Sequence, residues 1–316
     1  MNLKKPKFWD YKKPNLLAYC LLPIAYILQI LNSIKSIIKI RNQKFKIKTI
    51  CVGNIYIGGT GKTSLSIKIN EILNSNNIKS CFIKKYYKSQ IDEKKLLETR
   101  AKVFSSFRRI YAINQAENEE FEVAILDDGL QDQNLKCDIN FVCFNNQNWV
   151  GNSFTIPAGP LRENIKNLKN YQHIFINGNN DDLSEIKKDI FEINPNINIH
   201  VGIYQPLNIH EFDKKHQYLV FSGIGNHQTF ISMIKENGLN ITKDIEFPDH
   251  YKYTDNDIVD ILDQANTLNC KIITTEKDYL RLENNKPKEI KFIKSTLKII
   301  DEKKLINTII KINETN

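Results

Sequence analysis

The chain of 316 residues is long enough for one large or two smaller domains, and with 41% apolar and 26% charged residues it is not globally disordered. Its net charge of +9 comes from the first 50 residues, which hold eleven basic residues and one acid, Asp10. Because the rest of the chain is close to neutral, we predict no nucleic-acid partner. The basic residues are Lys4, Lys5, Lys7, Lys12, Lys13, Lys35, Lys39, Arg41, Lys44, Lys46 and Lys48.

The N-terminal segment, residues 1–45, is apolar in its middle. Residues 16–28 form an uncharged apolar run that contains Pro23 and is short for a bilayer crossing of about 20 residues. Apolar residues then recur every three or four positions up to Ile38, with polar residues between them and lysines at both ends. This pattern predicts a basic amphipathic helix on an anionic membrane surface. A helix packed on its own domain and a membrane-spanning helix are the alternatives.

Beyond this segment, apolar strand-like runs alternate with helical patterns, which predicts an α/β fold with a mostly parallel sheet flanked by helices. The periodicity breaks near residues 205–215 and resumes as a second α/β unit. We therefore predict a core domain over residues 46–204 and a smaller domain with a C-terminal helix over residues 205–316. Strands are expected at residues 46–52, 81–83, 121–126, 139–144, 173–176, 197–204, 218–221 and 271–274, and helices at residues 64–73, 229–237, 255–266 and 303–312.

The first predicted strand runs into a glycine-rich loop that resembles the phosphate-binding pattern G-x-x-x-x-G-K-[ST], with Tyr56 in the place of the first glycine. The glycines let backbone N–H groups surround phosphate oxygens, and the next helix begins at the same place. Lys62 can reach the β- and γ-phosphates, and the Thr63 hydroxyl can bind Mg²⁺. The predicted nucleotide-binding residues are Tyr56, Ile57, Gly58, Gly59, Thr60, Gly61, Lys62 and Thr63.

Two acidic residues, Asp127 and Asp128, follow the apolar strand predicted at residues 121–126. A P-loop protein uses an acidic residue at such a strand end to hold Mg²⁺ beside the hydroxyl of the loop. We therefore predict that Thr63, Asp127 and Asp128 hold Mg²⁺. This pattern is typical of an enzyme that hydrolyses or transfers a nucleotide phosphate.

A GTPase would also carry an Asn/Thr-Lys-x-Asp motif that reads the guanine base. The segment Thr275-Glu276-Lys277-Asp278 has the wrong spacing, because Glu276 separates the threonine from the lysine. This difference favours ATP over GTP.

Six separated segments carry further motifs, and their order along the chain is informative. They are Asn54 with residues 58–63 (N-x-x-x-G-G-T-G-K-T), residues 127–131 (D-D-G-L-Q), 156–163 (I-P-A-G-P-L-R-E), 222–226 (S-G-I-G-N), 247–250 (F-P-D-H) and 274–278 (T-T-E-K-D). In this set and order the chain resembles the tetraacyldisaccharide 4'-kinase family of lipid A biosynthesis. Two segments depart from the family's pattern: residues 84–87 read K-K-Y-Y in place of R-G-Y-G, and residues 91–94 read I-D-E-K in place of G-D-E-P.

The resemblance implies a kinase that transfers the γ-phosphoryl group of ATP to the 4'-hydroxyl of a tetraacyl disaccharide 1-phosphate and so makes lipid IVA. It implies ATP and Mg²⁺ as cofactors, a disaccharide lipid substrate, an anionic membrane surface as partner, and a peripheral or monotopic place on the cytoplasmic face of the bacterial inner membrane. We infer no obligate protein partner.

The resemblance also assigns roles to individual residues. Asp92 aligns with the family's catalytic base, and His250 aligns with the partner of that base. Arg162 is assigned to charge stabilisation at the transferring phosphoryl group, together with Lys62, and Glu163 is assigned to the metal or the nucleotide.

Two other functions fit parts of the sequence. The first is a P-loop ATPase or GTPase that assists assembly or maturation at the membrane and has no small-molecule acceptor. The second is a membrane-surface binding protein with a degenerate nucleotide fold. The destination of the γ-phosphate of ATP, which is lipid, protein or free phosphate, separates these three hypotheses.

Overall fold

The computed structural model describes residues 5–38, 45–87, 91–132, 134–178, 182–282 and 287–314. The chain divides into two compact units: unit one is Met1–Tyr86, Ala101–Ile203 and Ile299–Asn316, and unit two is Tyr87–Arg100 and Tyr204–Lys298. Four of the basic residues of the N-terminal segment lie outside the described residues: Lys4, Lys39, Arg41 and Lys44.

The helices and strands follow the predicted alternation. The helices are α1 (Leu16–Ile38), α2 (Lys62–Ser75), α3 (Ile91–Glu98), α4 (Arg109–Asn118), α5 (Ser184–Ile193), α6 (His227–Glu236), α7 (Asp255–Thr267), α8 (Glu276–Arg281) and α9 (Glu302–Glu314). The strands are β1 (Lys48–Gly53), β2 (Ser80–Lys85), β3 (Val103–Ser106), β4 (Val123–Asp127), β5 (Ile139–Asn145), β6 (His173–Asn177), β7 (Asn198–Pro206), β8 (Gln217–Ser222), β9 (Asn240–Glu246), β10 (Lys271–Thr275), β11 (Ile290–Ile293) and β12 (Ser295–Ile299).

Every strand and helix for which the sequence gives bounds begins and ends within two residues of the observed element. For residues 94–115 the sequence indicates only a helix-like stretch and a short apolar segment, and most of α3, β3 and α4 lies there. The sequence does not predict α5, β9, α8, β11 or β12. The predicted fold class, a mostly parallel sheet with flanking helices and a smaller second α/β part, is confirmed.

The main sheet has the strand order β12-β7-β6-β5-β1-β4-β2-β3. The strands from β7 to β3 pair in parallel, so the carboxyl ends of β1, β4 and β2 lie at one edge. All five residues of β4 are buried, and the first four of them are apolar, as expected for a strand that is covered on both faces. In unit one, Ala112 and Ile113 of α4 pack on alternate residues of the strands, including Ile83 and Leu126.

Unit two contains a smaller sheet with the order β11-β10-β8-β9, in which all the pairs are parallel. Phe230 and Ile234 of α6 pack with Val220 of β8 in one cluster. Ile261 and Ala265 of α7 pack with other residues of β8 and β10 in a second cluster. The short stretch Tyr87–Arg100, which contains α3, belongs to this unit although it precedes most of unit one in sequence.

The N-terminal helix α1 is a single helix of 23 residues that continues through Pro23, so it begins earlier than the amphipathic pattern indicates. Ala18 and Ala25 are buried, whereas Leu16, Tyr26 and Ile30 are more than half exposed. The stretch Leu16–Ile34 is long and apolar enough to cross a membrane, and only 11% of its most apolar part is buried inside the protein. Exposure of this much apolar surface fits membrane association.

A short 3₁₀ helix, Lys7–Asp10, precedes α1 and packs on the segment around residues 151–160 of unit one. The Trp9 carbonyl accepts a hydrogen bond from the Asn152 N–H at 2.9 Å, and Trp9 Nε1 donates to the Pro157 carbonyl at 3.1 Å. Gly151 allows this approach, since a Cβ atom there would lie 2.2 Å from the Trp9 carbonyl oxygen and its φ angle is +58°. The N-terminal segment is therefore joined to the loop that leads to Arg162.

Candidate active site

The phosphate loop joins the carboxyl end of β1 to the first turn of α2, which begins at Lys62. Gly58 and Gly61 have φ angles of +141° and +83°, which L side chains rarely adopt. The buried Asn54 side chain holds the loop: its Nδ2 donates to the Gly58 carbonyl at 3.3 Å and to the Thr60 hydroxyl at 3.0 Å. A glycine loop that closes onto the first N–H groups of a helix is a suitable cradle for phosphate oxygens.

The side chain of Tyr56, which replaces the first glycine of the loop pattern, is buried in unit one. Its hydroxyl accepts a hydrogen bond from Lys5 Nζ at 2.9 Å and donates one to Asp10. Burial and the neighbouring Asp10 carboxylate raise the pKa of Tyr56 well above its usual range. The next residue is fixed as well, because the Ile57 N–H donates to the Pro160 carbonyl at 2.9 Å. Tyr56 therefore ties the loop to the N-terminal segment and leaves only its backbone for a nucleotide.

A buried ion pair lies beside the loop, where Asp127 ends β4 and Lys84 of β2 is its register partner. Lys84 Nζ is 2.6 Å from Asp127 Oδ2, and the two side chains are 3% and 0% exposed. The hydroxyls of Thr63 and Ser66 donate to the two oxygens of the same carboxylate, each at 3.4 Å. The structure thus brings the predicted residues Thr63 and Asp127 together.

Lys84 has no predicted role, although its position in the sequence carries a signal. A lysine at the end of β2 must lie next to the aspartate at the end of β4 once these two strands pair in parallel. The strand order was needed to find it.

Asp128 follows in a left-handed conformation, with a φ angle of +60°. Its Oδ1 accepts a hydrogen bond from Arg162 Nη1 at 2.8 Å, and its carbonyl accepts one from Arg109. Arg162 Nη1 also donates to Gln131 Oε1 at 3.0 Å. Although burial raises the pKa of Asp128, the positive charges of Lys62 and Arg162 hold it below its usual value. Asp128 and Arg162, both predicted site residues, are therefore direct partners.

Glu163 is held by three polar side chains. Its carboxylate accepts hydrogen bonds from Asn167 Nδ2 at 2.9 Å, from the Tyr171 hydroxyl at 3.0 Å and from Gln131 Nε2 at 3.3 Å. Gln131 thus links Glu163 to Arg162, since its amide oxygen accepts from the arginine. The predicted residues at 162 and 163 belong to one hydrogen-bonded group with the D-D-G-L-Q segment.

The oxygen atoms at this edge suit Mg²⁺. Thr63, Asp127 and Asp128 offer a hydroxyl and two carboxylates, and Mg²⁺ bound with a nucleotide needs only one or two protein carboxylates beside phosphates and water. Within the described ranges, no group of three or more His, Cys, Asp or Glu side chains is placed to hold a metal ion alone. The donor set therefore fits a magnesium ion that arrives with a nucleotide.

Unit two holds a second cluster of charged side chains, centred on Asp92 at the start of α3. His250 Nδ1 lies 3.3 Å from Asp92 Oδ1, so the predicted base and its predicted partner are together. Two cations that the sequence did not predict, Lys277 and Arg281, lie 3.6 and 2.7 Å from Asp92 Oδ2. Although burial raises the pKa of Asp92, the hydrogen bond with His250 and the charges of Lys277 and Arg281 hold it well below its usual range.

A serine, a histidine and an aspartate also form a chain in unit two. His227 Nδ1 is 2.7 Å from the Ser222 hydroxyl, and His227 Nε2 is 3.0 Å from Asp244 Oδ2. A hydrolase would need the serine hydroxyl within reach of a substrate. Ser222 is completely buried, so these three hydrogen-bonded side chains do not form a hydrolytic site. They stabilise the turn after β8.

This is a protein with a P-loop nucleotide-binding fold. The features that define this class are the glycine loop, the helix that follows it and the acidic end of β4. A profile of the family described as "Tetraacyldisaccharide-1-P 4'-kinase" matches residues 17–314. The chain therefore belongs to the tetraacyldisaccharide-1-phosphate 4'-kinase family, and the resemblance seen in its motifs is confirmed.

Individual relatives agree with this assignment. The tetraacyldisaccharide 4'-kinase of Pelagibacter ubique is 60% identical over 316 residues, which cover 100% of both chains. That of Rickettsia akari is 34% identical over 307 residues, 90% of this chain and 91% of its own. A crystal structure of the "apo" form of LpxK from Aquifex aeolicus in complex with ATP has a TM-score of 0.69 at 22% identity and covers 94% of this chain and 99% of that chain. At this identity, the structural likeness shows the shared fold.

The buried ion pair between Lys84 and Asp127 predicts that Lys84→Ala strongly destabilises the protein. This change leaves the Asp127 carboxylate buried without its cation, which costs about 3–5 kcal/mol in the free energy of unfolding. Urea denaturation of the purified chain in detergent, followed by circular dichroism, measures this loss.

A matched control is Lys68→Ala on α2, because Lys68 Nζ pairs with Glu302 at 2.7 Å while the carboxylate is 44% exposed. That change should cost at most about 1 kcal/mol. The double variant Lys84→Ala/Asp127→Ala should be more stable than Lys84→Ala alone. Equal, mild losses for Lys84→Ala and Lys68→Ala would contradict the importance given to the buried pair.

Proposed function

We propose that this chain transfers the γ-phosphoryl group of ATP to the 4'-hydroxyl of a tetraacyl disaccharide 1-phosphate, a step of lipid A synthesis. The observation that carries the proposal is the family match over residues 17–314. The phosphate loop and the Thr63–Asp127 contact at the end of β4 support the nucleotide half of the reaction. The Aquifex aeolicus relative, which was crystallised with ATP, supports ATP as the phosphoryl donor.

In the reaction a bond forms between the 4'-oxygen of the sugar and the γ-phosphorus. The bond from that phosphorus to the oxygen bridging to the β-phosphate breaks, so ADP leaves, and the hydroxyl proton passes to a base. Phosphoryl transfer has a loose transition state, in which positioning and charge stabilisation matter more than covalent chemistry. The residues of the site are suited to those two tasks.

On the nucleotide side, we assign Lys62 and the loop N–H groups to the phosphates of ATP. Thr63 and Asp127, with Asp128, would hold Mg²⁺, which neutralises phosphate charge when bound. Arg162 donates hydrogen bonds from Nη1 to Asp128 and Gln131. We assign it to stabilising the negative charge on the transferring phosphoryl group.

On the acceptor side, we assign Asp92 as the base that receives the hydroxyl proton and His250 as its partner. The 3.3 Å contact between them supports this assignment, and so does the depressed pKa of Asp92, because a base must be ionised to accept a proton. A weakly basic carboxylate is sufficient here, since in a loose transition state the attacking oxygen forms little bond to phosphorus.

We further propose that α1 holds the enzyme on the cytoplasmic face of the inner membrane, where its lipid substrate lies. The exposed apolar residues of α1, together with the basic residues near its ends, suit an anionic bilayer. The contacts of Trp9 and Tyr56 support a direct connection between this anchor and the phosphate loop of unit one. Gln29 of α1 also donates a hydrogen bond to Thr155.

The proposed reaction predicts where the γ-phosphate goes. Full-length protein in detergent micelles, given γ-labelled ATP and tetraacyl disaccharide 1-phosphate, should place the label on the lipid. The Lys62→Ala variant should lose at least about 10²-fold in kcat, because it lacks a charge at the phosphates. Lys68→Ala, on the same helix, should keep wild-type kcat.

Two outcomes of this assay would overturn the proposed function. Label released as free phosphate regardless of the lipid would favour an ATPase that assists assembly. Label retained on the protein, with an unmodified lipid, would also exclude the lipid as acceptor.

The proposed anchor predicts that Ile27→Glu/Ile30→Glu releases the protein from anionic vesicles. Each apolar side chain that leaves the bilayer loses about 1.5–3 kcal/mol, so binding should fall by more than about tenfold. Co-sedimentation with phosphatidylglycerol vesicles measures it. The control is Val259→Glu, at a half-exposed position of α7. Equal sedimentation of both variants would show that this part of α1 is not the anchor.

A further inference from the structure

The carboxylate of Asp92 is surrounded by charged groups on three elements of unit two. Arg281 and Lys277 of α8 face it with positive charge, and His250 faces it from the loop after β9. Three other acids complete the surroundings: Glu93 on the same helix, Asp249 beside the histidine and Asp278 on α8.

Arg281 makes the most complete contact with this carboxylate. Its Nε and Nη2 atoms both donate to Asp92 Oδ2, at 3.0 and 2.7 Å. The two side chains are 7% and 8% exposed, so water competes little for these hydrogen bonds. Two charge-assisted hydrogen bonds from one guanidinium to the same oxygen hold Oδ2 in place and so restrict how the carboxylate can turn.

The other end of the guanidinium is fixed to the fold. Arg281 Nη1 donates to Asp278 Oδ1 at 2.7 Å and also to the Gly223 carbonyl. Asp278 is completely buried and accepts further hydrogen bonds from the Gly223 N–H at 3.0 Å, the Tyr253 hydroxyl at 3.0 Å and the Thr275 hydroxyl at 2.7 Å. The guanidinium therefore bridges a rigid group at the ends of β8 and β10 to the carboxylate on α3.

We propose that Arg281 is a positioning residue that holds Asp92 ionised and in one orientation beside His250, whose Nδ1 lies 3.3 Å from the carboxylate. This inference rests on the proposed function, in which Asp92 receives the hydroxyl proton. It adds a residue that acts through Asp92 and through His250, whose Nδ1 lies 3.4 Å from Arg281 Nη2. Lys277, at 3.6 Å, contributes charge, whereas Arg281 contributes both charge and direction.

The charge of Arg281 has a consequence for pH dependence. Burial raises the pKa of Asp92, and the contacts with His250, Lys277 and Arg281 lower it by a larger amount. Without Arg281 the pKa of Asp92 rises, because burial remains and one cation is lost. Since Asp92 accepts a proton only when it is ionised, activity then falls on the acidic side at a higher pH than in the wild type.

The test is a pH–rate profile of lipid phosphorylation for Arg281→Gln. We expect the acidic limb to move up by about 1–3 pH units. At neutral pH, kcat should fall by roughly 10²-fold because the carboxylate is misdirected, while the KM for ATP stays near the wild-type value. Arg281→Lys keeps a charge without the forked contact, so it should restore most of the acidic limb and little of kcat. Arg100→Gln, which breaks the partly exposed pair with Glu276, is the control and should match wild type.

The outcomes separate this inference from the proposed function. A wild-type protein that transfers no label to lipid would refute the function itself. A wild type that transfers label, with an Arg281→Gln profile of unchanged shape, would refute the positioning role alone, whether or not kcat falls. If Arg281→Gln does not fold, Arg281→Lys decides the question: wild-type kcat in that variant would overturn the inference.

Discussion

The ion pair between Lys84 and Asp127 constrains the nucleotide half of the molecule. Both side chains are almost completely buried, and a charge buried without its partner is costly. Because the two residues end neighbouring parallel strands, the pair forms only when β2 and β4 are in their observed register. It also leaves Asp127 within reach of the Thr63 hydroxyl. The arrangement of the predicted metal ligands Thr63 and Asp127 therefore depends on the pairing of β2 with β4.

The two units place their functional side chains at similar positions in their sheets. In each unit the charged side chains gather where buried strands end, so the apolar interior of the sheet stays free of them. Unit one gathers oxygen ligands and cations suited to nucleotide phosphates. Unit two gathers a carboxylate, a histidine and two cations around α3. The stretch Tyr87–Arg100 explains how Asp92 joins residues that are more than 150 positions later in the chain.

The sequence predicts most of the fold and part of the site, for identifiable reasons. Buried strands such as β4 are continuous apolar runs, and the phosphate loop is a local pattern, so both can be read from neighbouring residues. The strand β9 has no apolar pattern that would predict it, because most of its residues are exposed and polar. The amphipathic pattern begins only after Pro23, whereas the helix α1 begins at Leu16 and continues through the proline.

Residues whose environment depends on distant segments could not be predicted from local pattern. The run of charged residues 92–95 has the composition of a solvated surface, yet Asp92 is buried by His250 and Arg281. Lys84 could not be distinguished from Lys85 until the strand order was known. Arg281 lies outside the motifs, and only its contacts give it a role. In all three cases, the information is in the pairing of elements far apart in the chain.

We propose that Thr63 and Asp127 hold the magnesium ion that accompanies ATP, and ATP binding measured without lipid tests this role. Isothermal titration of ATP into the full chain, with and without Mg²⁺, gives the contribution of the metal to affinity. We expect Mg²⁺ to strengthen ATP binding to the wild type, and we expect Thr63→Val and Asp127→Asn each to lose at least about tenfold of this effect, or about 1.4 kcal/mol. If both variants retain the full effect of Mg²⁺, the metal is bound elsewhere and Thr63 and Asp127 are not its ligands.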